Sequence, residues 1–502
     1  MSSSTDTLKP ATWQPEAAEA SVAAEAPDPR RFRALAVIAV AQLMIVLDAS
    51  VVTIALPSAQ RALHISVANR QWVLTAYTLA FGGLLLLGGR VADYLGRKRM
   101  FVVSLLGFAA ASALGGLAQD SAMLFGARAL QGAFAAVMAP AALSIITVTF
   151  TEAKERARAF GVYGAVAGAG AAIGLVLGGL LTQYASWRWV LLINTPIAIV
   201  TALFAVREVH ESRGEGERRY DLWGAVSSTG GLLCLVYGFT RAQTDGWGSS
   251  VTVGLLAAAA ALLAAFVVIE LNVDSPLLPL RVVLDHNRGG SFLASLLVGI
   301  AMFGTFLFLT YYLQGTLHYS ALKCGFAFLP FSGGIIVAAA AASQLLSRVG
   351  PRLLMGVGLA MAALGMLWFT QIGVQTSFAA HVLPSEIVVS IGLGLAFVPM
   401  SSTALIGVAP HDAGVASALV NTTQQVGGAL GTALLNTIAA SATATFIAAH
   451  AGAPLAAARG YVHGYTTGFT YSAVFVAAAV LVAVALVRAR RHELTTLEHV
   501  AG

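Results

Sequence analysis

Leu47-Asp48-Ala49-Ser50-Val51-Val52-Thr53-Ile54-Ala55-Leu56-Pro57 closes an apolar run that begins near Ala34, and Asp48 is the only acid in that run. A carboxylate so deep in hydrocarbon is costly unless it faces protein or a wet cavity. Either this is a membrane helix whose acid has a task, or it is a buried helix of a soluble protein. The remainder of the chain decides between them.

The chain has 502 residues, of which 58% are hydrophobic and 10% charged. A soluble chain carries about 25% charged residues. Scarcity of charge along the whole length points to an all-α polytopic membrane protein. The formal net charge of +6 is spread over short basic clusters between apolar runs, a topology signal rather than a nucleic-acid footprint. Cys234 and Cys324 lie in or beside separate runs without CxxC or metal-ligand spacing. His286, His318, His381 and His411 are dispersed near loops, so neither a catalytic triad nor a metal site is expected, and an enzyme is disfavoured. No Walker lysine motif occurs, which removes a simple ATP-driven pump.

Fourteen runs are candidate spans: 34–56, 71–88, 100–118, 123–148, 160–182, 190–206, 222–240, 251–270, 289–312, 325–346, 353–372, 386–407, 415–439 and 467–487. Each approaches the roughly 20 residues that a crossing needs. Residues 1–29, rich in Ala, Glu, Pro and Ser, read as a disordered tail, and 493–502 as a second tail. With no leader read ahead of it, the first run is expected to act as both targeting signal and permanent helix.

Basic clusters test this count. They stand at Arg30, Arg31 and Arg33; Arg97, Lys98 and Arg99; Lys154, Arg156 and Arg158; Arg207, Arg213, Arg218 and Arg219; Arg281 and Arg288; Arg348 and Arg352; and Arg488, Arg490 and Arg491. All fall on one side if the count is even, and the positive-inside rule puts that side, with both termini, in the cytoplasm. The opposite loops carry only scattered basic residues, among them Arg61, Arg70, Arg188 and Arg459.

The halves also echo one another. Gly89 to Lys98 and Ser343 to Arg352 are both short, glycine-containing turns closed by a basic residue. The expected organisation is a six-helix bundle over 30–206, an inserted pair with linkers over 207–288, and a second bundle over 289–492. Internal repeats with a site between them are the usual build of a secondary transporter. No filter motif or repeated acidic ring suggests a channel.

At these residues the chain resembles the major facilitator superfamily, in its fourteen-helix drug:proton antiporter branch. Residues 89–98 resemble the superfamily's signature loop, and Leu47 to Pro57 the branch's first-helix motif. Leu124 to Gly132, with Arg128, resembles the fourth-helix motif. Trp187-Arg188-Trp189 with Ile193-Asn194-Thr195-Pro196 is similar to the start of helix six, and Gly414 to Gly431 to the helix-thirteen pattern. Gly161 to Gly179 resembles the antiporter motif of helix five. One departure stands in it: Leu175 follows Gly174 where the branch usually has proline, so a softer kink is expected. The resemblance spans about residues 33–490. It implies an exporter driven by the proton gradient without a cofactor, alternating between inward-open and outward-open states in a bacterial cytoplasmic membrane. Its substrates would be amphipathic drugs, antibiotics or related natural products, and its functional unit a monomer among membrane lipids.

The residues can be assigned tasks on chemical grounds. Asp48 and Arg128 are expected at similar depth in the outer half of the bundle. Desolvation favours a neutral carboxyl and a neighbouring guanidinium favours the carboxylate; alternate wetting and occlusion would then let Asp48 carry the proton while Arg128 tunes it. A permanent structural ion pair is the plainer alternative. Asp93, Gly96, Arg97 and Lys98 are expected to form a conformational latch, or only a solvated topology signal. Gly164, Gly168, Gly170, Gly174, Gly178 and Gly179 read as a face for close helix packing. Gln42, Asn194, Tyr311, Tyr312, Gln314, Asn421, Gln424 and Gln425 are candidate substrate contacts, with interhelical hydrogen bonding as the alternative. Glu270 and Glu386 are expected only at span edges, so Asp48 stands alone as a deep acid and dications are disfavoured as substrates. An importer on the same scaffold is disfavoured by the glycine-rich helix five. An exporter of lipids or lipid-linked metabolites remains the alternative to drug efflux.

Overall fold

A computed structural model describes residues 30–150, 152–213, 221–273, 276–278, 280–408 and 413–489; the expected tails lie outside the described residues. Hydrocarbon offers no partner to a backbone amide, so a spanning chain must satisfy its own. The described chain does so with α-helices. The first group is α1 (Arg31–Ala62), α2 (Trp72–Leu95), α3 (Arg97–Gly116), α4 (Ser121–Thr149), α5 (Ala153–Tyr184), α6 (Trp189–Leu192) and α7 (Asn194–Glu208). The inserted pair is α8 (Leu222–Asp245) and α9 (Ser250–Asn272), followed by the short α10 (Leu280–Val283). The last group is α11 (His286–Tyr311), α12 (Ala321–Ala327), α13 (Leu329–Val349), α14 (Pro351–Phe369), α15 (Leu383–Thr403), α16 (Ala413–Ala449) and α17 (Ala456–Leu486).

The expected spans fall on these rods, 190–206 across α6 and α7 and 325–346 across α12 and α13. By length and apolarity, 12 described helices can cross a membrane, and 13 if α2, bent by 57° between Trp72–Leu85 and Leu87–Leu95, is one span. On α5 the apolar helix among the described residues is the shorter Gly170–Tyr184. Two spans carry π-helical turns, Tyr312–Thr316 after α11 and Phe378–Val382 before α15. The last two rods exceed their expected limits: α16 and α17 continue as helix past the bilayer-length apolar core. Alanine-rich sequence there favours helix whether or not it is apolar enough to be counted, and Phe446 stacks on His450 at the hairpin's tip.

Polar residues start the helices where the sequence supplies them. Asp120 accepts from Met123 N at 2.8 Å to cap α4, and Asp285 accepts from Asn287 N and Arg288 N at 3.0 Å to cap α11. The repeated glycine turns recur as matching joints. Gly96 (φ 107°) separates α2 from α3, and Gly350 (φ 88°) separates α13 from α14. A single residue reverses the chain in each, with backbone that favours glycine.

Packing repeats as well. In the first group α1 lies on α5 and α7, α2 on α4, and α3 on α4 and α7. In the last group α11 lies on α16 and α17, α13 on α15, and α14 on α15 and α17. The two bundles therefore share one internal plan. They meet through exchanged partners, α2 against α16 and α5 against α12 and α13, while α8 fills the seam between α2 and α16.

One end of the molecule gathers the basic clusters. Arg31 Nε is 3.0 Å from Glu155, Arg30 reaches Arg207 O, and Arg90 Nη2 donates to Pro276 O at 3.1 Å. Arg288 donates to Gly407 O, and Asn287 Oδ1 accepts from Arg488 N. Hydrogen bonds that join the two bundles cluster at the opposite end. Gln314 Nε2 donates to Ile54 O at 2.9 Å, Gln183 Oε1 accepts from Leu322 N at 3.3 Å, Thr75 pairs with Thr432 at 2.6 Å, and Tyr311 donates to Gln60. This is a seal at the end away from the basic loops.

Candidate functional site

The first bundle wraps Asp48 from four helices. Gly132 on α4 faces Tyr77 O on α2, where a Cβ would collide with that carbonyl, so the two helices approach closely. That approach lets Arg128 on α4 cross to both neighbours. Its Nη1 donates to Asp48 Oδ2 at 2.5 Å and to Gln131 Oε1 at 2.8 Å, and its Nε donates to Val73 O at 2.9 Å. The guanidinium also lies 4.4 Å from the centre of the Tyr77 ring. Asp48 Oδ1 accepts from Gln131 Nε2 at 3.0 Å and from Asn194 Nδ2 at 2.8 Å. Gln131 is tied in turn to Ser112 on α3 at 2.7 Å. Asp48 is 0% exposed and Arg128 1%. The result is a buried, charge-balanced network whose acid has a donor on each oxygen.

Asp48 and Arg128 are thus brought together at matched depth. Asn194, a candidate substrate contact with interhelical hydrogen bonding as the alternative, takes the alternative: it is buried and donates its amide to Asp48. The reason is the packing of α7 on α1, which sets the first residue of α7 against the acid-bearing helix. Gln131 lies within the quoted fourth-helix stretch yet received no role. Its signal was the i+3 spacing from Arg128, which puts both side chains on one helix face.

The latch residues assemble within the first bundle. Asp93 Oδ1 lies 2.7 Å from Arg97 Nε across the Gly96 joint. Glu211, unremarked in the sequence, accepts from Lys98 N and Arg99 N at 3.1 Å and caps α3. A Cβ on Gly96 would stand 2.8 Å from Glu211 Oε1, so the joint also needs glycine for space.

The glycine face of α5 packs onto the helix that carries Asp48. A Cβ on Gly170 would stand 3.1 Å from Leu43 Cδ1, and one on Gly178 only 2.8 Å from Val51 Cα; at Gly174 it would strike the Ser50 hydroxyl. Gly179 faces the other bundle instead, 2.7 Å from Leu322 Cα on α12 by the same measure. Helix α5 therefore contacts both the acid-bearing helix and the seal. Gly164 and Gly168 lie on α5, but what surrounds them falls outside the described residues.

The remaining substrate candidates divide in two. Tyr311, Tyr312 and Gln314 belong to the seal: Arg70 lies 3.9 Å over the Tyr311 ring, Tyr312 is fully buried with its hydroxyl on Gly373 O at 2.9 Å, and Gln314 bridges to α1. Tyr311, at the end of α11, and Gln314, in the π-turn after it, reach across to α1, while Tyr312 bonds within its own bundle. Gln42, Asn421, Gln424 and Gln425 lie toward the basic end, with Asn421 exposed and the other three partly so. These four are placed where a molecule entering from the basic end could meet them.

Arg70, a scattered loop cation by sequence, stands in the turn before α2, is 5% exposed and donates to Asn436 Oδ1 at 3.2 Å. One sequence expectation needs correction. Glu386, expected at a span edge, is 0% exposed. The Phe378–Val382 turn extends its span outward, so Glu386 sits inside a crossing that runs Phe378–Thr403.

Comparisons with known proteins agree with this architecture. The family model described as Major Facilitator Superfamily matches residues 38–432. The puromycin resistance protein of Streptomyces alboniger is 52% identical over 444 residues, covering 88% of each chain. A cephamycin export protein of Amycolatopsis lactamdurans is 41% identical, with 82% of this chain and 85% of that protein covered. Among solved structures, a bacterial homolog of the human lysosomal transporter Spinster, in an inward-facing and unoccupied conformation, superposes with a TM-score of 0.67. It is 17% identical and covers 93% of this chain and 98% of its own.

Proposed function

The chain belongs to the major facilitator superfamily and is a multi-span membrane transporter rather than an enzyme, and on that premise we propose that it is a proton-coupled antiporter that exports amphipathic antibiotics or related drugs. The observation that carries the coupling is the buried Asp48–Arg128 pair with its ring of Gln131 and Asn194 donors. An acid fully enclosed by protein within a spanning helix is retained for a task by default. Separation of Asp48 from Arg128 during the transport cycle would leave an uncompensated carboxylate, which a proton then neutralises. Restoration of the pair expels that proton. This exchange links proton movement to helix movement without a cofactor.

The export direction draws on the relatives named for resistance and export. The basic end is taken as cytoplasmic, in a bacterial cytoplasmic membrane with both termini inside. The described conformation is then closed toward the outside, and Gln42, Asn421, Gln424 and Gln425 face the side from which a drug is loaded. A puromycin-like aminonucleoside heads the list of substrates to try, since the relative so named is 52% identical.

Proteoliposomes under an imposed pH gradient test the reading. A chemically diverse panel should show at least one compound moved against its gradient, with proton flux in the opposite direction, and Asp48→Asn should abolish both. Uptake with the proton, or exchange that survives Asp48→Asn, would sink it.

A further inference from the structure

Asp48 and Glu386 are the two acids at 0% exposure among the described residues, and the surroundings of Glu386 are the reverse of those of Asp48. Asp48 has a guanidinium and two amides upon it. Neither oxygen of Glu386 has a hydrogen-bond partner among the described residues, and the side chain is 0% exposed. No described ion pair includes it. The titratable groups on elements packed around it are few. Lys323 and Cys324 stand on α12, with Lys323 Nζ 3.8 Å over the Tyr319 ring, and His286 and Arg288 begin α11 at its far end. His381 is on the preceding turn, and Tyr311 and Tyr312 stand at the end of α11. The only ionisable residues of α13 and α14 are Arg348 and Arg352, at the far ends of those helices.

The repeat makes this asymmetry informative. Helix α15 in the second bundle takes the place of α4 in the first, by its contacts with α13 and α14. Glu386 lies about two turns inside the Phe378–Thr403 crossing, as Arg128 lies about two turns inside α4. One bundle thus places a cation paired with an acid at this level, and the other places an acid that no described ion pair joins to Arg70 or Lys323, which lie over Tyr311 and Tyr319. A bare carboxylate in such a setting has nothing to offset its lost hydration, whereas a carboxylic acid is neutral.

We propose that Glu386 is a proton-binding site of the seal, occupied by a proton while that end is closed and vacated when it opens. This rests on the proton-coupled reading above and adds a second bundle to it. Connection to the seal runs through the turn before α15: Phe378 meets the Tyr319 ring at 6.1 Å, and Tyr319 N donates to Leu313 O at 2.8 Å, next to Gln314, whose amide holds Ile54 O across the bundles. Helix α12 carries Leu322, bound to Gln183, and Gly325, packed on the Leu175 carbonyl. Parting of the bundles at this end removes α12 from α5 and admits water to Glu386. The closed form therefore holds one more proton than the open form. By linkage, acid favours closure and alkali favours opening. A proton arriving from outside would thereby shut the outer end; released to the same side on reopening, it gates the seal and is not itself carried across.

Two measurements on the full chain in nanodiscs, with neither substrate nor gradient, test the site. Infrared pH titration should show a carboxylic-acid carbonyl band that Glu386→Gln removes and Asp48→Asn leaves. Hydrogen exchange of residues 313–327, corrected for intrinsic rate, should lose protection as pH rises, by up to about tenfold per pH unit for one linked proton. Glu386→Gln should stay protected at every pH, and Glu386→Asp should keep a displaced transition. A band unaffected by Glu386→Gln, or exchange with the same pH dependence in wild type and Glu386→Gln, overturns the proposal. Poor folding of the glutamine variant leaves the aspartate variant to decide, by the presence or loss of its transition. Should these results hold while proteoliposomes show no proton–drug exchange, the coupled-export reading fails and the proton site stands.

Discussion

Arg128 holds Asp48 across the first bundle, Nη1 to Oδ2 at 2.5 Å, and neither side chain reaches solvent. Removal of one partner from a buried pair leaves the other charge uncompensated, at a cost of about 3–5 kcal/mol. Asp48→Asn and Arg128→Gln should each lower the thermal unfolding midpoint in detergent. The double variant should recover part of that loss, since it buries no net charge. Proton-driven transport should be absent from all three. Recovery of stability without recovery of transport separates coupling from scaffolding, and transport by the double variant would contradict the assigned role of the pair.

Asn194 supplies a softer test of the same network. Its amide donates to Asp48 Oδ1 at 2.8 Å and is 1% exposed. Asn194→Leu removes one donor and retains volume, a loss of about 1–3 kcal/mol where the acceptor stays buried. Transport should slow while the substrate concentration for half-maximal rate stays unchanged, because the side chain touches acid rather than drug. A change confined to that half-maximal concentration would return Asn194 to the substrate site.

The spans were legible because hydrocarbon imposes a length and an apolarity that a sequence must display. Depth made the Asp48–Arg128 pairing legible too, since each residue could be placed along its own run. Tertiary geometry hid the rest. Tyr311 and Gln314 read equally as cavity or hydrogen-bonding residues, and only their contacts with Gln60 and Ile54 on α1 place them in the seal. Glu386 reads as peripheral because its apolar run begins at 386, and the helical turn at Phe378–Val382 that lengthens the crossing is a matter of tertiary structure. Arg70 carries the charge of a loop residue, and only the opposing α16 shows why it is buried.

Arg70 is the buried cation that ties the seal's two bundles together. It donates to Asn436 and lies 3.9 Å over Tyr311, while Asn436 also donates to Gln71 at 2.5 Å. A desolvated cation–π contact is worth about 2 kcal/mol, equivalent to roughly 30-fold in an equilibrium. Arg70→Gln should therefore shift the population toward opening at that end. Hydrogen exchange over residues 60–75 and 311–322 should rise by that order, with exchange at the basic-end loops unchanged. Equal protection in the variant would assign the seal to apolar packing alone.

Helix α5 should convert a small change at one glycine into a large functional loss. A Cβ at Gly178 would stand 2.8 Å from Val51 Cα, on the helix that bears Asp48, and this contact is with backbone that cannot rotate away. Overpacking of this kind costs about 1–3 kcal/mol, which a folded bundle can tolerate. Small residues set how closely two membrane helices approach, so Gly178→Val should part α1 from α5 and disturb both the acid network and the contact of Gly179 with α12. Gly126→Ala on α4 is the control, since nothing lies within 4 Å of its added methyl. Both variants should reach the membrane in normal amount. Export should be lost in Gly178→Val and kept in Gly126→Ala; full transport by Gly178→Val would reduce the glycine face to passive packing.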